Sequence, residues 1–326
     1  MTFPARAILM LIPLLAALLL APAHAFAMEV KGPGEAETVP PQAEDCKPQA
    51  EAADKNDTKG GPPPFEYGIA VAHVPSSDID GSGTSMAYTE YAASLEMALL
   101  LFGASHRVFD WEDGSDFAGA SGKDPWGSLT TLSPGLQYFH KFGDWGVWAM
   151  FMVSTGFEDS ITNDSWTYQP QLLGLYMPTD DWAIYFGGGY IYHPVEPLAY
   201  PVIGLAFRRE EKTGLCGAIG FPETMLRYWL TEKWSVKLDF GWAINTYRLA
   251  DDNPIAAKGY LRIDEKIPGL HLECRPIEGL LVSPGVRWHL DRKLTVYDSD
   301  RDEVSGVDDV NVDAAWSAML QVGYEF

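Results

Sequence analysis

Histidine, serine and acidic side chains are the groups of this sequence that could perform acid–base or nucleophilic chemistry, and seven histidines are present. A hydrolytic site on a strand needs an imidazole and a hydroxyl that meet on one face, which a serine placed closely after a histidine provides. The residues that follow His140, His193 and His289 include no such serine. His289 and Asp291 are two residues apart, so they would point to the same face of a strand, but this spacing is common in sequences. We therefore assign no catalytic residue.

The acidic segment Asp298–Glu303 is the stretch that most resembles a metal-binding loop, namely the start of an EF-hand calcium loop. Such a loop needs glycine at position six and glutamate at position twelve, whereas Glu303 and Asp309 stand there. An acidic loop in contact with solvent explains the segment, and a loosely held Ca²⁺ is the alternative. We predict no metal site and no cofactor-binding residue.

The N-terminus has the features of a secretory signal peptide over residues 1–25. Arg6 supplies the positive charge, residues 8–20 form an apolar run, and Ala23-His24-Ala25 gives a cleavage pattern of small residues. The run is shorter than the roughly 20 residues of a spanning helix, and an N-terminal anchor is the alternative. Residues 26–64 are rich in Pro, Ala, Glu and Lys, which predicts a disordered acidic linker.

Charge and cysteine usage limit the possible partners. The formal net charge of −22 argues against nucleic acid or an anionic lipid surface as a partner. Of the three cysteines, Cys46 lies in the linker, and no pair has the spacing of a disulfide framework. We interpret Cys216 and Cys274 as small apolar side chains that fill space within strands.

From Phe65 onward the sequence alternates with a period of two, as strands do. In Trp234–Arg248 the alternate residues from Trp234 are Trp, Val, Leu, Phe, Trp and Ile, and those from Ser235 are Ser, Lys, Asp, Gly, Ala and Asn. We call each such set of alternate residues, which points to one face of the strand, a parity. The segment 314–326 repeats this pattern. Helical spacing fits these stretches less well. Residues 65–326 are therefore predicted to form one all-β domain.

Turn signals predict the number of strands. Tight polar turns directly before Trp145, Trp182 and Trp234 alternate with longer acidic connections, which is typical of an up-and-down meander. The pattern predicts about 12 strands. The number becomes 14 if residues 88–111 split into two strands and residues 65–74 form another.

The two parities indicate which face meets lipid. The polar parity is mostly Ser, Gly, Ala, Gln and Asn, so it is poor in charge for a surface in water, and aromatic residues of the apolar parity lie near strand ends. This favours lipid outside and a narrow polar interior, with Trp145, Trp182 and Trp234 in an aromatic girdle. Because unpaired backbone amides are costly in hydrocarbon, the sheet must close. A soluble periplasmic binding barrel is the alternative.

The few charges on the polar parity are expected to pair, because isolated ions are costly in a narrow lumen. These charges are Arg227, Asp239, Glu273, Arg275, Arg287 and His289. They form either a constriction that tunes ion selectivity or a plug of paired side chains, and a modest lumen slightly favours the plug.

The chain closes on Gly323-Tyr324-Glu325-Phe326. With the turn-tryptophan pattern and the signal peptide, this ending resembles bacterial outer-membrane β-barrel proteins. The stretches Val202–Tyr228 and Asn245–Leu249 are similar to a poorly characterised barrel family known by a domain of unknown function. The resemblance implies a single antiparallel up-and-down transmembrane β-barrel in the outer membrane of a Gram-negative bacterium. It also implies two partners, outer-membrane lipid and the barrel-assembly machinery, which recognises the strand ending at Phe326.

The resemblance implies no reaction. We expect a non-enzymatic barrel, either a small passive pore for ions or small hydrophilic solutes or a structural barrel. The alternative is a barrel enzyme that acts on outer-membrane lipid or peptide, with His140 or His289 as its histidine.

Overall fold

The structure is a computed structural model, and it describes residues 65–117, 120, 122–179, 181–193, 195–207, 214–307 and 309–325. The signal peptide (1–25), the linker (26–64) and Phe326 lie outside the described residues, so what was predicted for them stays a prediction. Within the described part of the chain, no helix is both long enough and apolar enough to cross a membrane.

The described residues form one antiparallel sheet that closes on itself. Its strands are β1 Phe65–Asp78, β2 Ser85–Met97, β3 Leu100–Glu112, β4 Ser128–Phe142, β5 Trp145–Phe157, β6 Trp166–Thr179, β7 Trp182–Ile191, β8 Leu198–Phe207, β9 Gly214–Phe221, β10 Glu223–Thr231, β11 Trp234–Arg248, β12 Tyr260–Cys274, β13 Leu280–Tyr297, β14 Val310–Val312 and β15 Ala315–Glu325. Closure comes from β1 pairing with β15, and from β13 pairing with both β12 and β15. The short β14 pairs with one end of β13, and the other fourteen strands form the barrel wall.

The predicted number of about 12 strands is wrong, and the alternative of 14 is confirmed. Residues 88–111 divide at Ala98-Leu99 into β2 and β3, and residues 65–78 form β1. Ala98 adopts a positive φ of 37°. The turn contains none of the Gly, Pro, Asn or Asp residues that mark turns in a sequence. The sequence pattern therefore predicted one strand where the structure has two.

The outer face carries the large apolar side chains, and the polar parity points inward. Trp288 and Trp316 are exposed opposite each other on β13 and β15, and Trp145, Trp182 and Trp234 are exposed near the start of their strands. This confirms the predicted orientation of the two parities, and the three tryptophans occupy outer positions near strand ends, where an aromatic girdle would lie. The chain is therefore a closed β-barrel with an apolar outer face.

Connections at the two ends of the barrel differ in length. Tight turns at 98–99 and 143–144 join strands at one end, which we call the lower end and which also holds the start of β1 and the end of β15. The upper end carries longer loops such as 113–127 and 249–259. In bacterial barrels the short turns face the periplasm and the long loops the exterior. The β9–β10 connection breaks this pattern, since Pro222 alone lies between the two strands.

The β9–β10 hairpin is too short to reach the upper end. These strands have 8 and 9 residues, against 15 in β11. Within the described strands, the pairing of β9 with β8 ends at Ile203, and that of β10 with β11 ends at Gly241. Above the hairpin tip, β8 and β11 therefore face each other without a strand between them. We call this opening the wall gap.

Above the wall gap, the end of β11 contacts β5 instead of β10. Arg248 pairs with Phe157 in parallel, and the Glu158 N–H donates to the Arg248 carbonyl at 2.9 Å. The Glu158 carboxylate also accepts from Ala250 N at 2.8 Å. The contact closes a smaller ring of nine strands at the upper end (β1–β5, β11–β13 and β15). The remaining strands, β6–β10, form what we call the five-strand wall.

Candidate functional site

The upper end of the nine-strand ring is closed by a buried apolar cluster, which we call the apolar roof. It consists of Val74, Ile79, Met86, Tyr88, Phe109, Phe117, Ala120, Trp126, Leu129, Tyr247, Leu249, Ala256, Leu261, Ile263, Leu294, Val296, Val307, Val312 and Ala315. Several members come from the long loops, and the Trp111 indole donates to the Trp126 carbonyl at 2.8 Å. The long loops thus fold inward to make a core instead of leaving the mouth open.

Directly below the roof lies a network of buried polar side chains, which we call the upper network. Arg107 contacts Glu90 at 3.1 Å and Glu265 at 3.0 Å. The other oxygen of Glu265 lies 2.9 Å from His289 Nδ1, and His289 Nε2 lies 3.0 Å from Ser317 Oγ. Serine, histidine and carboxylate thus stand in the order and at the distances of a nucleophilic triad.

Burial decides how this arrangement is interpreted. Ser317, Glu265 and His289 are 0%, 1% and 4% exposed, and the second oxygen of the carboxylate is held by Arg107. A nucleophile needs space for a substrate beside its hydroxyl. The packed environment of Ser317 provides none, so the arrangement acts as a lock between β12, β13 and β15.

Sequence reasoning missed Ser317, because it searched for a serine along the strand of each histidine. His289 and Ser317 lie on neighbouring strands, two register positions apart on the same face, since His289 pairs with Ala315 and Ser317 with Arg287. The signal that could have found them is the alignment of two predicted neighbouring strands, 279–298 and 312–326.

A second buried cluster, the lower network, lies nearer the short turns. Arg227 contacts Glu273 at 2.7 Å, and the Ser235 hydroxyl donates to Glu273 at 2.6 Å. Asp239 lies 2.8 Å from His271. The prediction that interior charges pair is confirmed for Arg227, Glu273 and Asp239, although His289 belongs to the upper network.

The barrel interior also contains a partly open cavity of about 350 Å³, which we call the side chamber. It lies between the inner face of β5–β8 and the part of β11 that borders the wall gap. Its lining residues are Trp148, Met150, Gln169, Gln171, Leu173, Tyr185, Ile191, Leu198, Tyr200, Val202, Ala218, Phe221, Pro222, Glu223, Met225, Trp242, Ala243, Ile244 and Asn245. The chamber is therefore mostly apolar and aromatic, with a few amide groups and one carboxylate.

Glycines shape the lower part of the chamber. A Cβ at Gly204 or at Gly220 would clash with the Tyr185 hydroxyl. These two positions on β8 and β9 therefore leave room for a phenol ring to lie across them. Above, the Gln169 amide donates to the Tyr200 hydroxyl at 2.8 Å, which fixes a second phenol in the wall.

The β7–β8 loop covers the upper side of the chamber region. The His193 ring meets Tyr260 edge-on at 5.6 Å, and Glu196 pairs with Arg262 and with the Tyr297 hydroxyl. The Val195 N–H donates to His193 Nδ1 at 3.1 Å. Burial, reinforced by Arg301 and Arg262, lowers the pKa of His193 from its usual 6.5 to about 4.

Glu158, whose carboxylate and N–H link β5 to the end of β11, also has a shifted pKa. Burial raises the pKa of Glu158, against the backbone hydrogen bond from Ala250 and the amide hydrogen bond from Asn253. The Asn253 amide also donates to the Pro125 carbonyl at 2.7 Å. The junction that separates ring from chamber therefore rests on a desolvated carboxylate.

The other residues that the sequence suggested for chemistry lie apart. His140 stacks on Tyr138 at the outer face. Asp291 follows a break in the register, has a φ of 47°, and pairs with Lys266 outside, so it does not share a face with His289. Asp298 accepts from the N–H groups of its own loop. Among the described residues, no group of three possible ligands could hold a metal ion.

The interpretation of both cysteines as space fillers is wrong for one of them. Cys216 is buried and disulfide-bonded, whereas Cys274 is free. Spacing could not reveal this bond, because disulfides join residues that the fold brings together and not residues at a fixed separation.

Similarity to known proteins is found among solved structures. No family model and no curated protein sequence matches the chain. Among solved structures, an outer membrane channel from Pseudomonas putida F1 is 12% identical, with 84% of this chain and 99% of that chain covered at a TM-score of 0.39. The NanC porin is 9% identical, with 79% and 100% covered at a TM-score of 0.35. The KdgM porin in complex with disordered oligogalacturonate is 11% identical, with 79% and 99% covered at a TM-score of 0.32.

Proposed function

We propose that this barrel is a passive, non-enzymatic conduit for small molecules across or within the outer membrane. The observation that carries the proposal is the side chamber of about 350 Å³, a space in the barrel interior that opens towards the wall gap. Packed proteins hold few voids larger than a water molecule, so a preformed cavity of this size indicates a place for a solute.

The interior of the nine-strand ring argues against a wide axial pore. The apolar roof and the upper network fill its upper half, and Arg107 and Glu265 are both buried and paired there. Moving hydrated ions past an apolar constriction is unfavourable. We therefore propose small solutes as the cargo, with ion flux much weaker than through an open porin.

The test is solute flux through the full mature protein reconstituted in lipid vesicles, without an energy source. Neutral solutes that fit a cavity of about 350 Å³ should leave the vesicles faster than from protein-free vesicles, and larger sugars should stay inside. Vesicles made with boiled protein are the control. No flux of any small solute would overturn the proposal.

A serine hydrolase is the second candidate function, because Ser317, His289 and Glu265 have triad distances. The full burial of Ser317 opposes it. Labelling by a fluorophosphonate probe distinguishes the two candidates, since a reactive serine is modified and a locked one is not.

We also propose that lipid surrounds the exposed apolar band and that the barrel-assembly machinery recognises β15. Leu320, Val322 and Tyr324 share the outer face of this strand, and Phe326 has the same parity in the sequence. Replacing Phe326 with Ala should lower the yield of heat-modifiable protein in the outer membrane, whereas the purified variant should still refold in detergent.

A further inference from the structure

We propose that the side chamber binds a small, neutral, mostly aromatic molecule carrying one polar group, and that the wall gap is its entrance from the outer leaflet. This inference rests on the proposed function and names the class of molecule that the conduit takes. It follows from the size of the chamber, its lining and its position in the wall.

Size sets the first limit. An apolar protein cavity of about 150 Å³ accommodates benzene. The side chamber has about 350 Å³, so it fits a molecule of about two fused rings with a substituent. A sugar oligomer or a peptide would not fit.

The lining sets the chemistry. Trp148, Tyr200 and Trp242 present aromatic surface, which favours stacked or edge-on contacts with another ring. The amides of Gln171 and Asn245 also line the space, and each can donate or accept one hydrogen bond from a hydroxyl or carbonyl. The chamber offers no basic side chain among its lining residues, and its one charged group is acidic, so it does not favour anions.

Position sets the entrance. Leu198, Val202 and Trp242 border the wall gap and also line the chamber, so the gap leads into it. Trp242 is level with Lys266, whose exposed pair with Asp291 lies where the outer face changes from apolar to charged. The gap therefore opens at the border of the hydrocarbon and headgroup regions.

The backbone hydrogen bonding of β8 and β11 is consistent with an opening at the wall gap. Above the hairpin tip, the described strands show no partner for β8 on its β9 side, or for β11 on its β10 side before the contact at Arg248. Unpaired backbone facing hydrocarbon costs several kcal/mol per group and is tolerated where it lines a cavity. A rim of polar backbone would also attract the polar group of an entering molecule.

Binding is tested with 2-naphthol as the probe and the full mature protein in lipid nanodiscs, using titration calorimetry. Val202 is 4% exposed and faces the chamber, whereas its neighbour Ile203 is 59% exposed and faces lipid. Val202→Trp should raise the Kd at least about tenfold, and Ile203→Trp should leave it unchanged. If Val202→Trp fails to fold, Ala218→Leu fills the chamber from β9.

The entrance is tested by association rates. Phe221 stands at the hairpin tip beside the Trp242 ring, with 5.8 Å between ring centroids. Phe221→Trp should narrow the rim and slow association of 2-naphthol at least about tenfold. Ile219→Trp, on the outer face of the same strand, is the matched control. Equal rates for both variants would overturn entry through the gap.

The outcomes separate this inference from the proposed function. Absence of 2-naphthol binding, or binding that Val202→Trp leaves unchanged, overturns the ligand class even if small neutral solutes still cross vesicles. Loss of both binding and flux overturns the proposed function as well.

Discussion

The nine-strand ring and the five-strand wall are built from one continuous sheet, yet their interiors differ. The ring has long strands such as β13, with 18 residues, and its interior is filled by the apolar roof and by paired charges. In the wall, β7–β10 have only 8 to 10 residues and are rich in glycine, and the wall borders an unfilled chamber. The comparison teaches that one sheet can enclose a densely packed region and an unfilled region side by side.

Arg107→Met should give the largest loss of stability, because it removes the main counter-ion of a buried carboxylate in the ring. Arg107 holds Glu265 at 3.0 Å, and both are nearly inaccessible. Breaking a buried pair from one side typically costs about 3–5 kcal/mol. The free energy of unfolding in urea, measured on the refolded barrel, checks this.

Lys266→Met is the matched control, since Lys266 and Asp291 form an exposed pair on the outer face. Exposed ion pairs contribute little because water screens them. A loss for Lys266→Met that equals the loss for Arg107→Met would contradict the view that the ring interior carries the stability.

Much of this fold could be predicted from the sequence, because strand alternation and lipid contact both leave a local pattern. Trp145, Trp182 and Trp234 marked strand starts correctly. The Ala98 turn was missed because its backbone conformation comes from closure of neighbouring strands and not from its residue type. Local patterns therefore gave the class of the fold but not the number of strands.

The candidate site was less predictable, because it depends on distant pairing. Val202 and Trp242 meet at the chamber only because the intervening hairpin is short, and strand length alone does not tell which strands then approach each other. Trp242 has the outward parity that the sequence predicts, and it also lines the side chamber because no residue of β10 lies beside it. The upper network likewise joins Arg107 to Glu265 across 158 positions.

Two tryptophans, one in the apolar roof and one beside the side chamber, test whether the two regions differ in packing. Trp126 lies in the apolar roof, whereas Trp148 borders the chamber. Trp126→Ala should cost about 3–4 kcal/mol, the usual range for a large side chain in a full core. Trp148→Ala should cost about 2 kcal/mol less, since part of its surface already faces empty space. Equal losses in urea unfolding would show that the chamber is packed in solution.

Acid should release the β7–β8 loop without unfolding the ring. The folded pKa of His193, about 4, is below its ordinary value of 6.5. The stabilisation is therefore present above pH 6.5 and is lost as the pH falls towards 4. Between pH 7 and pH 5 the loss is about 2 kcal/mol, and protonation also removes the acceptor for Val195 N–H.

Hydrogen exchange of residues 192–197, corrected for the intrinsic pH effect, measures this release. His193→Asn keeps a polar side chain that does not titrate, so its exchange should not respond to acid. Protection in the wild type that stays constant from pH 7 to pH 5 would contradict the predicted release.

Ser317→Ala should have the smallest effect and decides between a lock and a nucleophile. Ser317 shares one hydrogen bond with His289 at 3.0 Å, and loss of one such bond costs about 1 kcal/mol. If the three residues only lock neighbouring strands, a fluorophosphonate probe labels neither the wild type nor the variant, and the stability loss is the sole change. Labelling of the wild type that disappears in Ser317→Ala would mean that a substrate can reach the interior of the ring. The contrast between a packed ring and a wall that borders the chamber would then be wrong.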